Sequence, residues 1–158
     1  GLKLLGHDPF IDPERAASLG VELVPLDDLL RKSDYVTLHC PLNAETRGLI
    51  GAAQLALMKP TACLINMARG PVVVQSALYD ALVNHTITAA ALDVLEKEPP
   101  DPADPLLQLD NVIITPHSSS ASTQAVAQLR RDTALNVVDM LSGKMPRSIV
   151  NLKALGWR

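Results

Sequence analysis

Short apolar runs alternate with amphipathic stretches along almost the whole chain. The runs at 2–8, 21–24, 34–40, 61–66, 87–94 and 112–115 are bounded by turn residues, the pattern of strands buried on both faces of a parallel sheet. Between them, the spacing predicts helices over 13–19, 26–32, 51–58, 75–84 and 121–141. Pro13 can start the first, Asp27 and Asp28 sit in the first turn of the second, and Gly143 lies just past the end of the last. In the fourth, Ala77, Leu78, Ala81 and Leu82 share one face. Strands alternating with helices predict an α/β domain with a parallel sheet, and no internal repeat is evident.

The runs ending at Asp93 and His117 organise the rest. In parallel sheets ligands bind beyond the carboxyl ends of the strands, so Asp8, Arg69, Asp93, Glu98 and His117 are all expected at one sheet edge. Residues 96–105 hold four prolines and four acids in ten positions, and they lie between two predicted strands of one sheet. That position makes them a functional loop and not a domain linker.

Composition narrows the chemistry. With 158 residues and 47% hydrophobic content the chain can bury one sizeable core, and no apolar run approaches membrane-spanning length. A net charge of -3 and 3% aromatic residues offer neither a basic face nor a stacking platform, which argues against nucleic acid. Cys40 and Cys63 lie in apolar runs and read as buried thiols, and His39 beside Cys40 has no second Cys/His pair at zinc-site spacing, so no metal is expected. With no signal-peptide pattern at the amino end, a cytoplasmic location is the default expectation.

Two edge positions have specific chemistry. Asp8, after the first strand, can accept both ribose hydroxyls of an adenine dinucleotide and would repel a 2'-phosphate, favouring NAD over NADP; Asp8-Pro9 is equally a turn signature. Arg69, just past the fourth strand, presents a permanently charged fork that matches a carboxylate, and Gly70 is expected to let the backbone turn sharply behind it.

The segments 34–42 (Asp-Tyr-Val-Thr-Leu-His-Cys-Pro-Leu), 64–70 (Leu-Ile-Asn-Met-Ala-Arg-Gly), 90–99 (Ala-Ala-Leu-Asp-Val-Leu-Glu-Lys-Glu-Pro) and 114–117 (Ile-Thr-Pro-His) together resemble the signature segments of the D-isomer-specific 2-hydroxyacid dehydrogenases. The likeness covers nearly the whole chain in order and spacing. It implies a Rossmann-like, doubly wound α/β fold with an NAD-binding domain over 1–145 and a tail over 146–158 leading back to a substrate domain. It also implies a homodimer acting on a small 2-keto or 2-hydroxy acid.

The resemblance assigns roles residue by residue. Arg69 would hold the keto-acid carboxylate and polarise its carbonyl, and His117 would be the general acid/base. Imidazole, with an unperturbed pKa of about 6.5, suits two-way proton transfer near neutrality. Glu98, the glutamate before proline, would pair with His117, with Glu96 as its rival two residues earlier. Asp93 would lie near the nicotinamide, and the cofactor would also be met by His39, Cys40, Pro41 and Thr46, by Met67, Ala68 and Arg69, and by His117 and Ser119. His7, His39 and His85 match no catalytic position. A glutamate at 98 argues against formate dehydrogenase, which has glutamine there. The carboxy-terminal-binding corepressors resemble the same fold and keep the trio, so an NAD-sensing, non-catalytic role is the alternative.

Several features depart from the family pattern. None of the eight glycines forms the Gly-x-Gly-x-x-Gly turn that packs against the pyrophosphate. The expectation is therefore that the central first strand is missing, that the strand at 2–7 lacks a partner toward the strand at 61–66, and that a preceding portion of the same protein supplies it. The isolated fragment is expected to be inactive, with Trp157 as an anchor to the other domain. Val73-Val74-Gln75 replaces the usual Val-Asp-Glu, leaving the next helix without its acidic cap and with Ser76 as a poor substitute. Ser118-Ser-Ser120 stands where a glycine is common.

Overall fold

The computed structural model describes residues 1–151, and the expectation for Trp157 lies outside them. The predicted alternation is present in full: β1 (Leu4–Gly6), α1 (Pro13–Ser18), β2 (Val21–Leu23), α2 (Leu26–Lys32), β3 (Tyr35–Leu38), α3 (Ala52–Leu55), β4 (Cys63–Asn66), α4 (Gln75–Val83), β5 (Ala89–Leu92), β6 (Val112–Ile114) and α5 (Thr123–Leu141). Two 3-10 turns, Gly70–Val72 and Pro105–Gln108, precede α4 and β6. The strands are shorter than the apolar runs that predict them.

The strands form two parallel sheets, β1-β2 and β3-β4-β5-β6. The register runs Tyr35↔Cys63, Cys63↔Ala89 and Ala90↔Val112, so four carboxyl ends lie on one edge. No ladder joins the two sheets among the described residues. The edge strands of the larger sheet are β3 and β6, whereas β4 is paired on both sides. As expected, the strand at 2–7 has no partner toward the strand at 61–66 among the described residues, and the strand at 61–66 is itself paired with β3 and β5. The first strand after the gap, 35–38, takes one edge, and each later strand crosses over to lie beside its predecessor.

Burial explains why poor strand formers become strands. Ala89, Ala90 and Ala91 have little intrinsic β preference. They are held because β4 and β6 pair with β5 on either side. The core of the larger sheet centres on Ile50, Leu64, Leu78, Leu82, Ile87 and Leu106, each nearly inaccessible to solvent. Each such side chain contributes about 1.5–3 kcal/mol relative to exposure.

Local signals fix the ends. Asp12 caps α1 by accepting from Glu14 N at 2.9 Å, with Pro13 in its first turn, and Gly20 follows at φ 73. In α3 the Gln54 side chain reaches back to accept from Gly51 N at 3.2 Å. Helix α3 covers only half of its predicted length before the chain turns toward Pro60.

The chain divides into two compact units, Gly1–His117 and a second that begins at Ser118. Within the second, α5 starts at a Ser122 cap that accepts from Ala125 N at 3.0 Å and ends before Gly143 at φ 70. None of its residues is buried, and Leu129, Val137, Val138, Met140 and Leu141 are exposed. Among the described residues no helix is long and apolar enough to cross a membrane.

Candidate active site

The carboxyl edge of the larger sheet is stitched together by short polar contacts. Asn66, buried at the end of β4, accepts from Ala68 N at 3.0 Å and donates through Nδ2 to Arg69 O at 3.1 Å. This side chain closes the turn that projects Arg69. Arg69 itself is exposed, and its Nη1 donates to Ala68 O at 2.7 Å.

Gly70 has a different role from the one expected. Its φ is not left-handed, but a Cβ there would collide with the carbonyl of Leu95. The glycine is needed so that the arginine turn can press against the backbone of the 95–98 loop.

That loop carries Glu98. Leu95 N donates to Glu98 Oε1 at 2.9 Å, leaving Oε2 to face His117 Nδ1 at 2.8 Å. The two side chains remain partly open, at 39% and 47% relative exposure, so solvent and substrate can reach the pair. The His117 hydrogen bond, followed by the Leu95 amide, holds the Glu98 carboxyl below the ordinary glutamate range; burial opposes this, and the charges of His117 and Arg69 assist it. The rivalry between Glu98 and Glu96 is resolved by geometry. Glu96 Oε1 accepts from Gln75 N at 3.1 Å, at the start of α4, and it is Glu98 that meets the histidine.

His117 is aimed by its backbone. It sits at φ 51 with its N–H donating to Thr115 O at 3.0 Å. A non-glycine residue in this region costs about 1–3 kcal/mol, a cost the surrounding structure must offset. Thr115 also donates through Oγ1 to Asp93 Oδ1 at 2.6 Å, linking the ends of β5 and β6. Asp93 is buried, and its N–H donates to Asn66 O at 3.0 Å.

These groups line one cavity of about 400 Å³, with Asp93, Glu98, Thr115 and His117 set among Leu95, Ile114 and three prolines. A larger cleft of about 520 Å³ lies between α4 and the 101–106 turn and touches neither His117 nor Glu98. We centre the candidate site on the smaller cavity because it holds the His117–Glu98 pair.

The remaining expected cofactor contacts divide. Asp8 follows β1 in the smaller sheet, not the sheet that carries Arg69, Asp93, Glu98 and His117, which corrects the expectation of one shared edge; its Oδ1 accepts from Phe10 N at 2.8 Å, so the turn role is realised. His39 Nε2 lies 2.9 Å from Thr37 Oγ1, and Pro41 is exposed. Cys40 is half-buried, and burial pushes its thiol up; Cys63 is half-buried as well, so neither is the fully buried thiol expected. The Thr46 hydroxyl is used within its own loop, accepting from Asn43 N at 2.9 Å. Met67 is open to solvent, whereas Ala68 is buried and belongs to the core. Ser119 belongs to the second unit. His7 lies 3.2 Å from Val24 O, and His85 closes α4 at φ 53, both structural positions. Among the described residues no group of three metal-ligating side chains is present. Sequence reasoning missed Asn66, Gln75 and Thr115 as individual contributors. Asn66 and Thr115 stood inside motifs already singled out, but only the folded geometry shows their partners.

The carboxylate–imidazole pair edges an apolar cavity at the carboxyl end of a parallel sheet, the place where such sheets bind ligands. The comparisons agree. The family model for "D-isomer specific 2-hydroxyacid dehydrogenase, NAD binding domain" matches residues 1–119. The chain belongs to that family. It is 44% identical over 154 residues to a D-3-phosphoglycerate dehydrogenase of Archaeoglobus fulgidus, covering 98% of this chain and 29% of that protein. It is 45% identical over 151 residues to a glyoxylate reductase of Korarchaeum cryptofilum, covering 96% of this chain and 46% of that protein. Among solved structures, D-lactate dehydrogenase with NAD+ from Lactobacillus jensenii superposes with a TM-score of 0.84 at 34% identity, over 94% of this chain and 48% of that one. The chain thus spans less than half the length of these relatives.

Proposed function

We propose that this chain is the cofactor-binding part of an NAD-dependent oxidoreductase that interconverts a 2-keto acid and a D-2-hydroxy acid. The observation that carries the reading is the 2.8 Å contact between His117 Nδ1 and Glu98 Oε2 at the rim of the cavity. When bound, NADH supplies the hydride. With Nδ1 directed at the carboxylate, Nε2 of His117 is the nitrogen that gives its proton to the keto oxygen and takes it back in reverse. Glu98 fixes the ring tautomer and stabilises the imidazolium. Arg69 turns its guanidinium from Ala68 O to the substrate carboxylate, a movement within the reach of an exposed side chain.

Asp93 and the walls Ile114 and Pro116 form the surface against which the nicotinamide packs, and Asp8 meets the adenosine ribose. His39, Cys40, Pro41, Thr46, Met67 and Ala68 complete the cofactor contacts, Thr46 and Ala68 through backbone or shape because of their existing engagements. The protein that carries this domain is proposed to be a cytoplasmic homodimer. The named relatives are dehydrogenases and reductases, which favours the catalytic role over NAD sensing. Following NADH absorbance with glyoxylate, hydroxypyruvate, pyruvate and phosphohydroxypyruvate, using the whole protein, tests the reading. Turnover of one of them supports it; NAD-dependent assembly without turnover of any overturns it.

A further inference from the structure

The start of α4 is held in an unusual way. Its capping position is Val74, which has no side-chain acceptor. The first amide is taken instead by a carboxylate from a distant loop: Gln75 N donates to Glu96 Oε1 at 3.1 Å. The contact is reciprocal, because Glu96 N donates to Gln75 Oε1, also at 3.1 Å. The amide of Gln75 is used once more, with Nε2 donating to Asp104 Oδ2 at 2.7 Å. Asp104 meanwhile accepts from Leu106 N through Oδ1 at 3.0 Å, capping the 3-10 turn that ends the acidic loop.

One side chain therefore clasps both ends of the segment 96–104, and Glu98 lies inside that segment. Glu98 takes Leu95 N at one oxygen and His117 at the other, so a displacement of Glu96 by even one ångström would move the carboxylate off the imidazole. The surroundings of Gln75 make its neutrality matter. The cleft it lines also holds Glu96, Asp80, Asp101 and Asp104, and no lysine or arginine is among its described walls. A neutral amide gives Asp104 its donor and Glu96 N its acceptor without adding to this charge.

We propose that Gln75 is a positioning residue for the acid/base pair, fixing the 96–104 loop so that Glu98 meets His117. The inference rests on the catalytic reading of that pair. Capping of α4 alone is a purely structural role, and it is separated from positioning by what happens at Glu98.

The test uses the whole protein and three variants. Gln75→Glu keeps an acceptor for Glu96 N but loses the donor to Asp104 and sets three carboxylates together. Asp104→Asn combined with Gln75→Glu reverses the direction of that hydrogen bond and restores the charge, while the asparagine oxygen still caps Leu106 N. Gln75→Ala removes the clasp. The readouts are the titration of the Glu98 carboxyl by NMR and the separate values of kcat for the keto acid and Kd for NADH.

Gln75→Glu and Gln75→Ala are expected to raise the Glu98 titration midpoint toward the ordinary glutamate value. In both, kcat falls roughly ten-fold with NADH affinity unchanged. The double variant returns both to within about two-fold of the parent, and it decides the matter if Gln75→Ala does not fold. Lower thermal stability with an unmoved Glu98 titration and kcat would overturn the proposal and leave Gln75 a cap. A double variant no better than Gln75→Glu would also overturn it. Failure of the catalytic reading is seen separately, as normal turnover by His117→Ala, because the Glu98 titration is measured without turnover.

Discussion

Thr115 Oγ1 lies 2.6 Å from Asp93 Oδ1, joining the ends of two neighbouring parallel strands at the point where the chain turns into the site. Asp93 is buried, so losing this donor leaves a carboxylate oxygen with one partner fewer. Thr115→Val keeps the shape and removes the donor. It is expected to cost about 1–3 kcal/mol in denaturant unfolding and to lower turnover by loosening His117, whose N–H rests on Thr115 O. Unchanged stability would show that the bond does not hold the edge together.

The close approach of Gly70 to the Leu95 carbonyl makes a sharper prediction. Gly70→Ala needs no forbidden φ, so backbone conformation alone would tolerate it. The methyl group has no room, and the Arg69 turn or the Glu98 loop must shift. Overpacking of this kind costs about 1–3 kcal/mol, and turnover is expected to fall with it. A fully active, equally stable variant would remove the reason given for glycine here.

Arg69→Lys exchanges a two-pronged cation for a point charge. The expected result is a KM for the keto acid raised at least ten-fold, with NADH affinity kept within about two-fold. Equal loss of both would place Arg69 on the cofactor instead of the substrate.

The Glu98 pair gives a pH dependence whose sign follows from its direction of shift. The folded carboxyl titrates below its unfolded value of about 4.3, chiefly through the His117 hydrogen bond. Its stabilising contribution is therefore full above that unfolded value and is lost as pH falls through the lower folded one. The partly exposed position limits the contribution to below about 1 kcal/mol. The stability gap between the parent and Glu98→Gln should close on acidification, and the optimum for keto-acid reduction should move to lower pH in that variant as the imidazolium loses its counter-charge. A gap that widens toward acid, or an unmoved optimum, would contradict the pairing.

Most of the fold was legible because period and punctuation agree along this chain: Pro13 starts α1, Gly143 follows α5, and each sheet strand is a short apolar run. The pairing of Glu98 with His117 was legible only through the resemblance of segments 90–99 and 114–117 to those of the family. The edge position of β3 was not legible, because pairing order depends on which strand lies beside the gap and not on the apolar pattern of 61–66. Gly70 was read as a turn residue since sequence cannot show the carbonyl of Leu95 against it. The missing acidic cap at Val74 was seen as a defect, yet Glu96, distant in sequence, fills it. Contacts that bridge two loops leave no local periodicity to read.

The most direct measurement of the central claim is the rate of NADH oxidation by His117→Ala in the whole protein, with the keto acid that the parent turns over best. General acid catalysis by this imidazole predicts a fall of about 10²–10⁴-fold across the pH range with NADH binding retained. Turnover within a few-fold of the parent would contradict the account.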